Sequence, residues 1–253
     1  MARPHKTNFK LVVIDRDGTL CEYREGYIKS PEEWVPVPGA LEAVALLNRA
    51  GWHVVMATNQ PAIGRGVMDM ASLNAINAVM HRQLAAAGAR VDAIFFCPHL
   101  PEEGCHCHKP APGLLEEIGH CYGVELSAVH AVGDALRDVQ AAVAAGCVPH
   151  LVCTGEGARW LDQPLDAEFP PHVQVHRDLM DFARHLLAQE ERQKEESARR
   201  RREEAEERAS DGDLSMGSAP QAGPSPHSGH GTASSWCGSG HGRVCRACDA
   251  RMA

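Results

Sequence analysis

The chain has 253 residues, 10 cysteines and a formal net charge of −8 at pH 7, and this negative charge argues against a nucleic-acid-binding protein, which usually presents a basic face. No apolar run approaches the roughly 20 residues of a membrane helix, and the first residues do not resemble a signal peptide. We therefore expect a cytoplasmic protein without nucleic-acid or membrane partners, whose clustered cysteines bind metal rather than form disulfides.

The composition divides the chain into three parts. Residues 1–189 are predicted to form one globular domain, and 190–210 form a charged helix or linker. Residues 211–253 are rich in Gly, Ser, Pro and His and are predicted to be a disordered, low-complexity tail. This tail holds a conceivable second zinc site or only disordered thiols, and the residues concerned are Cys237, His241, Cys245 and Cys248.

Predicted strands and helices alternate along residues 1–189. The first strand, at residues 11–14, is apolar and rich in β-branched residues, which is typical of a buried parallel strand. Further strands are predicted at 53–57, 92–96, 128–132, 149–153 and 173–175, and helices at 40–50, 70–87, 113–122, 136–145 and 179–187. This order predicts an α/β fold with a doubly wound parallel sheet and helices on both faces.

Polar residues recur where successive predicted strands end. Because the carboxyl ends of parallel strands meet at one edge of the sheet, these residues are expected to converge on one site. They are Asp15, Asp17, Thr58, Asn59, Lys109 and Asp134.

The two aspartates at the end of the first strand point to phosphoryl chemistry. Asp15 and Asp17 are one residue apart, so they either share a cation or act as nucleophile and acid. A carboxylate nucleophile suits a phosphoryl group, and Mg²⁺ allows the two anions to approach. Thr58 would donate a hydrogen bond, and Lys109 would offset phosphate charge. Each residue alone also fits a turn, a cap or a solvated lysine; their joint order favours a site.

Four motifs resemble those of the haloacid dehalogenase-type phosphatases, over roughly residues 9–155. The resemblance implies a Rossmann-like core, with Asp15 as nucleophile and Asp17 as general acid and base. It also implies that Asp15, Asp17 and Asp134 hold Mg²⁺, whereas Asp138 supports the last motif. Little sequence separates the motifs, so no separate cap domain is expected. The motifs are Asp15-x-Asp17-Gly18-Thr19, Thr58-Asn59-Gln60, Lys109-Pro110 and Gly133-Asp134-x-x-x-Asp138.

Three longer runs carry a narrower resemblance: Asp-Arg-Asp-Gly-Thr at 15–19, Thr-Asn-Gln-Pro-x-Ile-Gly-Arg-Gly at 58–66, and Cys-Pro-His at 97–99 ahead of Lys-Pro-x-Pro-Gly at 109–113. They resemble the D-glycero-D-manno-heptose 1,7-bisphosphate 7-phosphatases, with the histidinol phosphatases as near relatives. This resemblance implies a Mg²⁺-dependent phosphomonoesterase that removes the 7-phosphate through an aspartyl phosphate, in heptose and lipopolysaccharide-core precursor synthesis. Histidinol phosphate is the alternative substrate, and a weakened enzyme that binds partners through its Cys/His tail is the alternative class. We expect a monomer that binds a small sugar phosphate. The expected substrate-binding residues are Arg16, Glu22, Tyr27, Asn59, Gln60 and His108.

A Cys/His-rich loop precedes Lys109. Its C-x-H and C-x-C halves carry soft and imidazole ligands that suit tetrahedral Zn²⁺, although His106 and His108 compete and a loop without metal is the alternative. The resemblance favours Zn²⁺ on one set of four, which would order the loop that delivers Lys109. The set is Cys97, His99, Cys105 and Cys107.

Three positions depart from the family pattern. His108 stands where an Arg commonly precedes the Lys, and neutral imidazole is a weaker anion partner than guanidinium. Ala135 follows Asp134 where a longer polar residue often lies, and Cys21 replaces a usual Asn. These changes bear on substrate choice rather than on reaction class.

Overall fold

The computed structural model describes residues 9–212 and 243–244. The conceivable tail zinc site, Cys237 to Cys248, has its four ligands outside these residues. In the described part of the chain, no helix combines the length and the apolar character needed to cross a membrane.

Seven parallel strands form one sheet, which confirms the predicted fold class. The strands are β1 (Leu11–Ile14), β2 (His53–Asn59), β3 (Ala93–Cys97), β4 (His130–Gly133), β5 (Val148–Val152), β6 (Gln174–His176) and β7 (Arg243–Val244). Their order across the sheet is β6-β5-β4-β1-β2-β3-β7. β4 begins two residues later than predicted, because Leu126–Ala128 forms a 3₁₀ turn first. The pairing of β7 with β3 was not predicted from composition.

Helices connect successive strands of the sheet. They are α1 (Ala40–Arg49), α2 (Pro61–Gly64), α3 (Met70–Ala86), α4 (Gly113–Tyr122), α5 (Leu136–Ala144) and α6 (Leu179–Gly212). The short α2 was missed because four residues give no helical periodicity. The helix predicted at 179–187 instead continues through the charged segment as one element. Asp69 is the N-cap of α3, and its carboxylate accepts a hydrogen bond from the Ser72 amide at 2.7 Å.

Strand β1 lies at the centre of the sheet. All four of its residues are buried, as an interior parallel strand covered on both faces requires. Leu11 and Val13 pack in one cluster with Phe95 of β3 and with Leu114 of α4. The chain builds outward from β1 through β2 and β3, then returns to β4 on the other side of β1. The sheet therefore has its topological switch point between β1 and β4, where ligands bind in such folds.

Residues 186–212 belong to a second compact unit, in which the described part is the continuation of α6. Its ion pairs are spaced four residues apart, such as Arg200 with Glu196 at 2.6 Å and Lys194 with Glu190 at 2.6 Å. Each such pair stabilises a helix by about 0.3–0.5 kcal/mol. The predicted domain boundaries at 189 and 210 stay predictions.

Three histidines on neighbouring strands form a buried hydrogen-bonded ladder. Nδ1 of His130 lies 2.9 Å from Nε2 of His150, and Nδ1 of His150 lies 3.0 Å from Nε2 of His176. Burial lowers the pKa of His150 to about 2, helped by its histidine neighbours, and lowers those of His130 and His176 to about 4. The ladder is therefore neutral at pH 7.

The ladder contributes stability that is lost in acid. The unfolded chain protonates these histidines near their ordinary pKa of about 6.5, whereas the folded chain resists, so the ladder's contribution to stability falls as pH drops below 6.5. The raised pKa values of Asp15 and Asp134 act in the opposite direction, so the effect of the ladder is read from the difference between variants. Three protons correspond to about 4 kcal/mol per pH unit near pH 5. We expect His150→Gln, which keeps a donor and an acceptor, to remove about a third of this slope in urea unfolding between pH 7 and 5. The exposed His172→Gln is the control; equal slopes for wild type and His150→Gln would contradict the prediction.

Candidate active site

A buried lysine and two carboxylates meet beyond the carboxyl end of β1. The Lys109 ammonium lies 2.7 Å from Oδ1 of Asp15 and 2.5 Å from Oδ1 of Asp138, and it donates to the Ala57 carbonyl at 2.9 Å. Burial lowers the Lys109 pKa, but the carboxylates of Asp138 and Asp15 outweigh burial and raise the net pKa above its ordinary value. Lys109 is thus a fixed positive charge in contact with Asp15.

Asp134 enters the same cluster from the end of the neighbouring strand β4. Its Oδ2 accepts a hydrogen bond from the Glu156 amide at 2.7 Å. Its carboxylate lies between Gly18 and Gly155, where a Cβ atom at either glycine would collide with it. Oδ1 of Asp134 is buried and has no hydrogen-bond partner among the described residues. Such an oxygen needs a partner, since an unsatisfied buried acceptor is destabilising.

Three carboxylates share this cluster with a single lysine, so negative charge exceeds positive charge there. Ligand oxygens of Asp15, Asp134 and Asp138 all lie within 4.8 Å of one another, and all three residues are buried. Burial first, and then the charges of Asp138 and Asp15, raise the pKa of Asp134 to about 9. Burial likewise raises the pKa of Asp15 to about 6, despite the opposing charge of Lys109. Hard carboxylate oxygens in this arrangement fit a divalent cation such as Mg²⁺.

Asp17 lies beside this cluster, but its carboxylate is held by other groups. Nη2 of Arg16 donates to its Oδ2 at 2.9 Å, and Nε2 of Gln60 donates to the same oxygen at 2.9 Å. The Cys21 thiol lies 3.6 Å from Oδ1. The clustered carboxylate set contains Asp138 where the sequence predicted Asp17. Oδ2 of Asp138 accepts a hydrogen bond from the Ala135 amide at 3.0 Å, and its Oδ1 contacts Lys109, so both oxygens have partners within the protein.

The end of β2 supplies the remaining polar groups of the site. Thr58 Oγ1 accepts a hydrogen bond from Nε2 of Gln60 at 2.9 Å, and its own hydroxyl donates to the Asn59 carbonyl only at the long distance of 3.5 Å. The side chain of Asn59 makes two 3.0 Å hydrogen bonds to the main chain of Lys109, one in each direction. Asn59 therefore fixes the position of Lys109.

The predicted substrate-binding residues divide into two groups. Arg16, Gln60 and Asn59 are engaged in the internal contacts just described. Glu22 is exposed and Tyr27 half-buried, and the Tyr27 hydroxyl accepts from Nε of Arg65 at 3.2 Å. The structure thus joins the turn after β1 to the segment after β2.

The Cys/His loop brings its four predicted ligands together. The sulfur atoms of Cys97, Cys105 and Cys107 lie 3.2–3.5 Å apart, and Nδ1 of His99 lies 3.6 and 3.4 Å from those of Cys97 and Cys107. A tetrahedral Zn²⁺ site places its sulfur atoms about 3.8 Å apart, so a small expansion accommodates the ion.

The two competing histidines have other partners. Nε2 of His106 lies 2.6 Å from the carboxylate of Glu116. Nδ1 of His108 lies 3.1 Å from the His99 carbonyl oxygen, and 3.7 Å from the Cys97 sulfur. The group of four that could hold a metal contains neither His106 nor His108.

Comparisons with known proteins bear on this arrangement. A family profile described as haloacid dehalogenase-like hydrolase matches residues 22–146. A D-glycero-beta-D-manno-heptose-1,7-bisphosphate 7-phosphatase of Bordetella bronchiseptica is 49% identical over 180 residues, which cover 71% of this chain and 99% of that protein. The enzyme of the same name from Pseudomonas aeruginosa is 45% identical over 177 residues, 70% of this chain and 97% of that protein. The chain belongs to the haloacid dehalogenase-like hydrolases.

Solved structures agree with this family assignment. The D,D-heptose 1,7-bisphosphate phosphatase of B. bronchiseptica, complexed with magnesium and phosphate, superposes with a TM-score of 0.68 at 49% identity, covering 72% of this chain and 99% of that one. The corresponding enzyme of Burkholderia thailandensis gives 0.55 at 42% identity, covering 70% and 98%. The resemblance drawn from the four motifs is confirmed at the level of this family.

A pair of residues at the rim of this hydrolase site was not predicted from the sequence. Arg137 donates to both carboxylate oxygens of Glu156, at 2.8 and 3.1 Å. Arg137 lies three residues after Asp134, and Glu156 follows the end of β5, so both stand where site residues were expected. The strand-end rule that found Asp134 would have found them too, had it been extended to β5 and to the first turn of α5.

Proposed function

We propose that this hydrolase removes the 7-phosphate of D-glycero-D-manno-heptose 1,7-bisphosphate. The observation that carries the proposal is the contact between the buried Asp15 carboxylate and Lys109 beside the partnerless oxygen of Asp134. The names of relatives that are 42–49% identical and aligned over 96–99% of their length support the substrate. The chain would act in heptose and lipopolysaccharide-core precursor synthesis.

Asp15 is the proposed nucleophile. Its carboxylate oxygen attacks phosphorus, and the bond from phosphorus to the sugar oxygen breaks, leaving an aspartyl phosphate and an alkoxide. Asp17 gives its proton to that alkoxide. The same carboxylate then takes a proton from the water that attacks the aspartyl phosphate, which releases phosphate and restores Asp15. Lys109 offsets the negative charge throughout, and the Thr58 hydroxyl donates to a phosphoryl oxygen.

The contacts of Asp17 support this division of labour. Gln60 donates to Asp17 and to Thr58 through one amide nitrogen, so it sets the acid and the phosphoryl-binding hydroxyl at a fixed separation. Arg16 is 1% exposed and lies against Asp17. We assign Arg16 and Gln60 to the positioning of Asp17, and leave direct substrate contact to Glu22, Tyr27 and His108 at the rim.

Mg²⁺ is the proposed cofactor at the carboxylate cluster. Asp15 and Asp134 would hold it, because Asp134 has a partnerless buried oxygen and Asp138 is already paired with Lys109. Asp17, the third predicted ligand, lies adjacent. When bound, the ion neutralises the clustered carboxylates and draws electron density from the phosphoryl group.

Zn²⁺ is the proposed cofactor at the Cys/His cluster, where it would act on structure. Cys97, His99, Cys105 and Cys107 form a closed set of four ligands, as structural zinc sites have. Cys107 precedes Lys109 by two residues, and the Cys97 carbonyl accepts the Gln60 amide at 2.7 Å. The ion would therefore steady both Lys109 and Gln60.

A direct comparison of substrates tests the proposed function. Phosphate release is measured with Mg²⁺ from heptose 1,7-bisphosphate and from histidinol phosphate, at matched concentrations. We expect kcat/KM for the bisphosphate to be at least tenfold higher. A preference for histidinol phosphate would assign the chain to the sister activity, and turnover of neither would reject both. Truncation after Gln189 tests the binding-protein alternative. It removes the tail together with β7, and activity should persist because the enzymes that match the chain over 177–180 residues are aligned over 96–99% of their own length.

A further inference from the structure

The proposed substrate carries a second phosphate group, which stays on the product. The inference concerns how the protein recognises that remaining phosphate, and it rests on the proposed function. A dianion at the mouth of a site lined with carboxylates needs a nearby cation.

The two buried cations of the site are already engaged. Lys109 is 5% exposed and contacts Asp15, Asp138 and a main-chain carbonyl. Arg16 is 1% exposed and contacts Asp17 and Gln60. Its Nη1 has no described partner, but that atom is sealed from solvent. Both side chains are therefore buried and committed to contacts within the protein.

His108 is a poor anion partner in this chain. It follows Cys107 directly in the chain, and Nδ1 of its ring lies 3.7 Å from the Cys97 sulfur. Nδ1 of its ring also contacts the His99 carbonyl at 3.1 Å. With Nδ1 occupied, the imidazole has at most one further N–H to offer an anion, whereas a guanidinium has five.

Arg137 has the properties that His108 lacks. It lies in the first turn of α5, and its side chain is 36% exposed. Its partner Glu156 is held at the site, because the Glu156 amide donates to Asp134. Burial opposes the charge of Arg137, but hydrogen bonds to Glu156 and the nearby carboxylates outweigh it and raise the pKa. Its charge acts on Asp134 as well as on His108.

We propose that Arg137, oriented by Glu156 at the rim of the site, binds the phosphate group that is not cleaved. The two-pronged contact with Glu156 fixes the plane of the guanidinium before substrate arrives. A guanidinium that is already held in one orientation loses less conformational freedom on binding than that of an unrestrained arginine side chain. Its remaining N–H donors suit a second anion, since a guanidinium has five. Arg137 is thus the specificity-determining residue for bisphosphates over monophosphates.

The test compares two substrates in two variants of the full chain. kcat and KM are measured with Mg²⁺ for heptose 1,7-bisphosphate and for heptose 7-phosphate, which lacks the second phosphate. The ratio of interest is kcat/KM for the bisphosphate divided by kcat/KM for the monophosphate. In Arg137→Met, we expect this ratio to fall at least tenfold, mainly because KM for the bisphosphate rises. Arg137→Lys, which keeps the charge without the fork, should recover part of the ratio. Arg159→Met removes an exposed charge from the neighbouring 155–160 segment and should keep the wild-type ratio.

Each outcome decides the matter. If Arg137→Met lowers both kcat/KM values equally, Arg137 has a structural role only and the inference is wrong; a thermal unfolding scan of each variant identifies that case. An unchanged ratio in a folded, active Arg137→Met also overturns it. If wild type fails to hydrolyse the bisphosphate, the proposed function itself falls, and this result is distinct because it appears before any variant is made.

Discussion

Replacing Asp15 with Asn is expected to abolish phosphate release without loss of stability. The amide is a poor nucleophile and forms no aspartyl phosphate, so kcat should fall by about 10⁴-fold or more. Lys109, Thr58 and Asp17 stay in place in this variant. Any residual rate reports their electrostatic contribution alone.

The stability half of this prediction follows from the charges around Asp15. Burial, together with Asp138 and Asp17, raises the pKa of Asp15 to about 6 although Lys109 opposes the rise. The ionised carboxylate is therefore held at a free-energy cost in the folded protein. The neutral amide of Asp15→Asn would relieve repulsion within the cluster while it gives up one ion pair with Lys109, and Asp138 keeps that lysine paired. Residues selected for catalysis commonly show this opposition between activity and stability.

The measurement pairs phosphate release in the presence of Mg²⁺ with urea unfolding at pH 7.5 in the absence of added metal. Asp166→Asn, an exposed site outside the cluster, is the matched control and should match wild type in both assays. An Asp15→Asn variant that keeps more than about a tenth of the activity would remove Asp15 from the role of nucleophile. One that loses the fold would show that the lysine pair outweighs the repulsion.

The sequence was sufficient to place Asp15 and Asp134 at one site, for a topological reason. Each follows a buried strand, and parallel strands deliver their carboxyl ends to one edge, so two residues 119 positions apart in the numbering meet without any knowledge of their side chains. The same rule placed Thr58 and Lys109. The Cys/His set could be predicted from the sequence because its four members lie close together in the chain, on one short loop.

The side-chain contacts that could not be predicted from the sequence depend on the direction in which each side chain points. Whether Asp17 faces the carboxylate cluster or Arg16 is decided by side-chain rotamers after the strand has ended, and the donors Arg16 and Gln60 lie 44 residues apart. Arg137 and Glu156 meet because two different loops return to the same edge. The histidine ladder joins three strands in a diagonal register, with Val132 opposite His150 and Val152 opposite His176. None of these contacts has a local pattern.

Replacing Cys107 with Ser is expected to release zinc and impair catalysis from a distance. Cys107 is fully buried, and its sulfur contacts those of Cys97 and Cys105. A hydroxyl is a weak zinc ligand beside three intact partners, so the purified variant should contain well under one zinc per chain. The loop that carries Lys109 then loses its anchor. We expect kcat/KM to fall about 10–100-fold, as for losses of supporting contacts around a site.

Zinc content by mass spectrometry of metals and amide hydrogen exchange of residues 98–109 separate this mechanism from general unfolding. Exchange should quicken in that loop while the strands β1 and β4 keep their protection. Cys121→Ser, at an exposed position of α4, is the control and should retain zinc. Wild-type protein that is purified free of zinc, yet fully active and protected in the loop, would contradict the proposal. In that case Lys109 would be positioned by its contacts with Asn59, Asp15 and Asp138 alone.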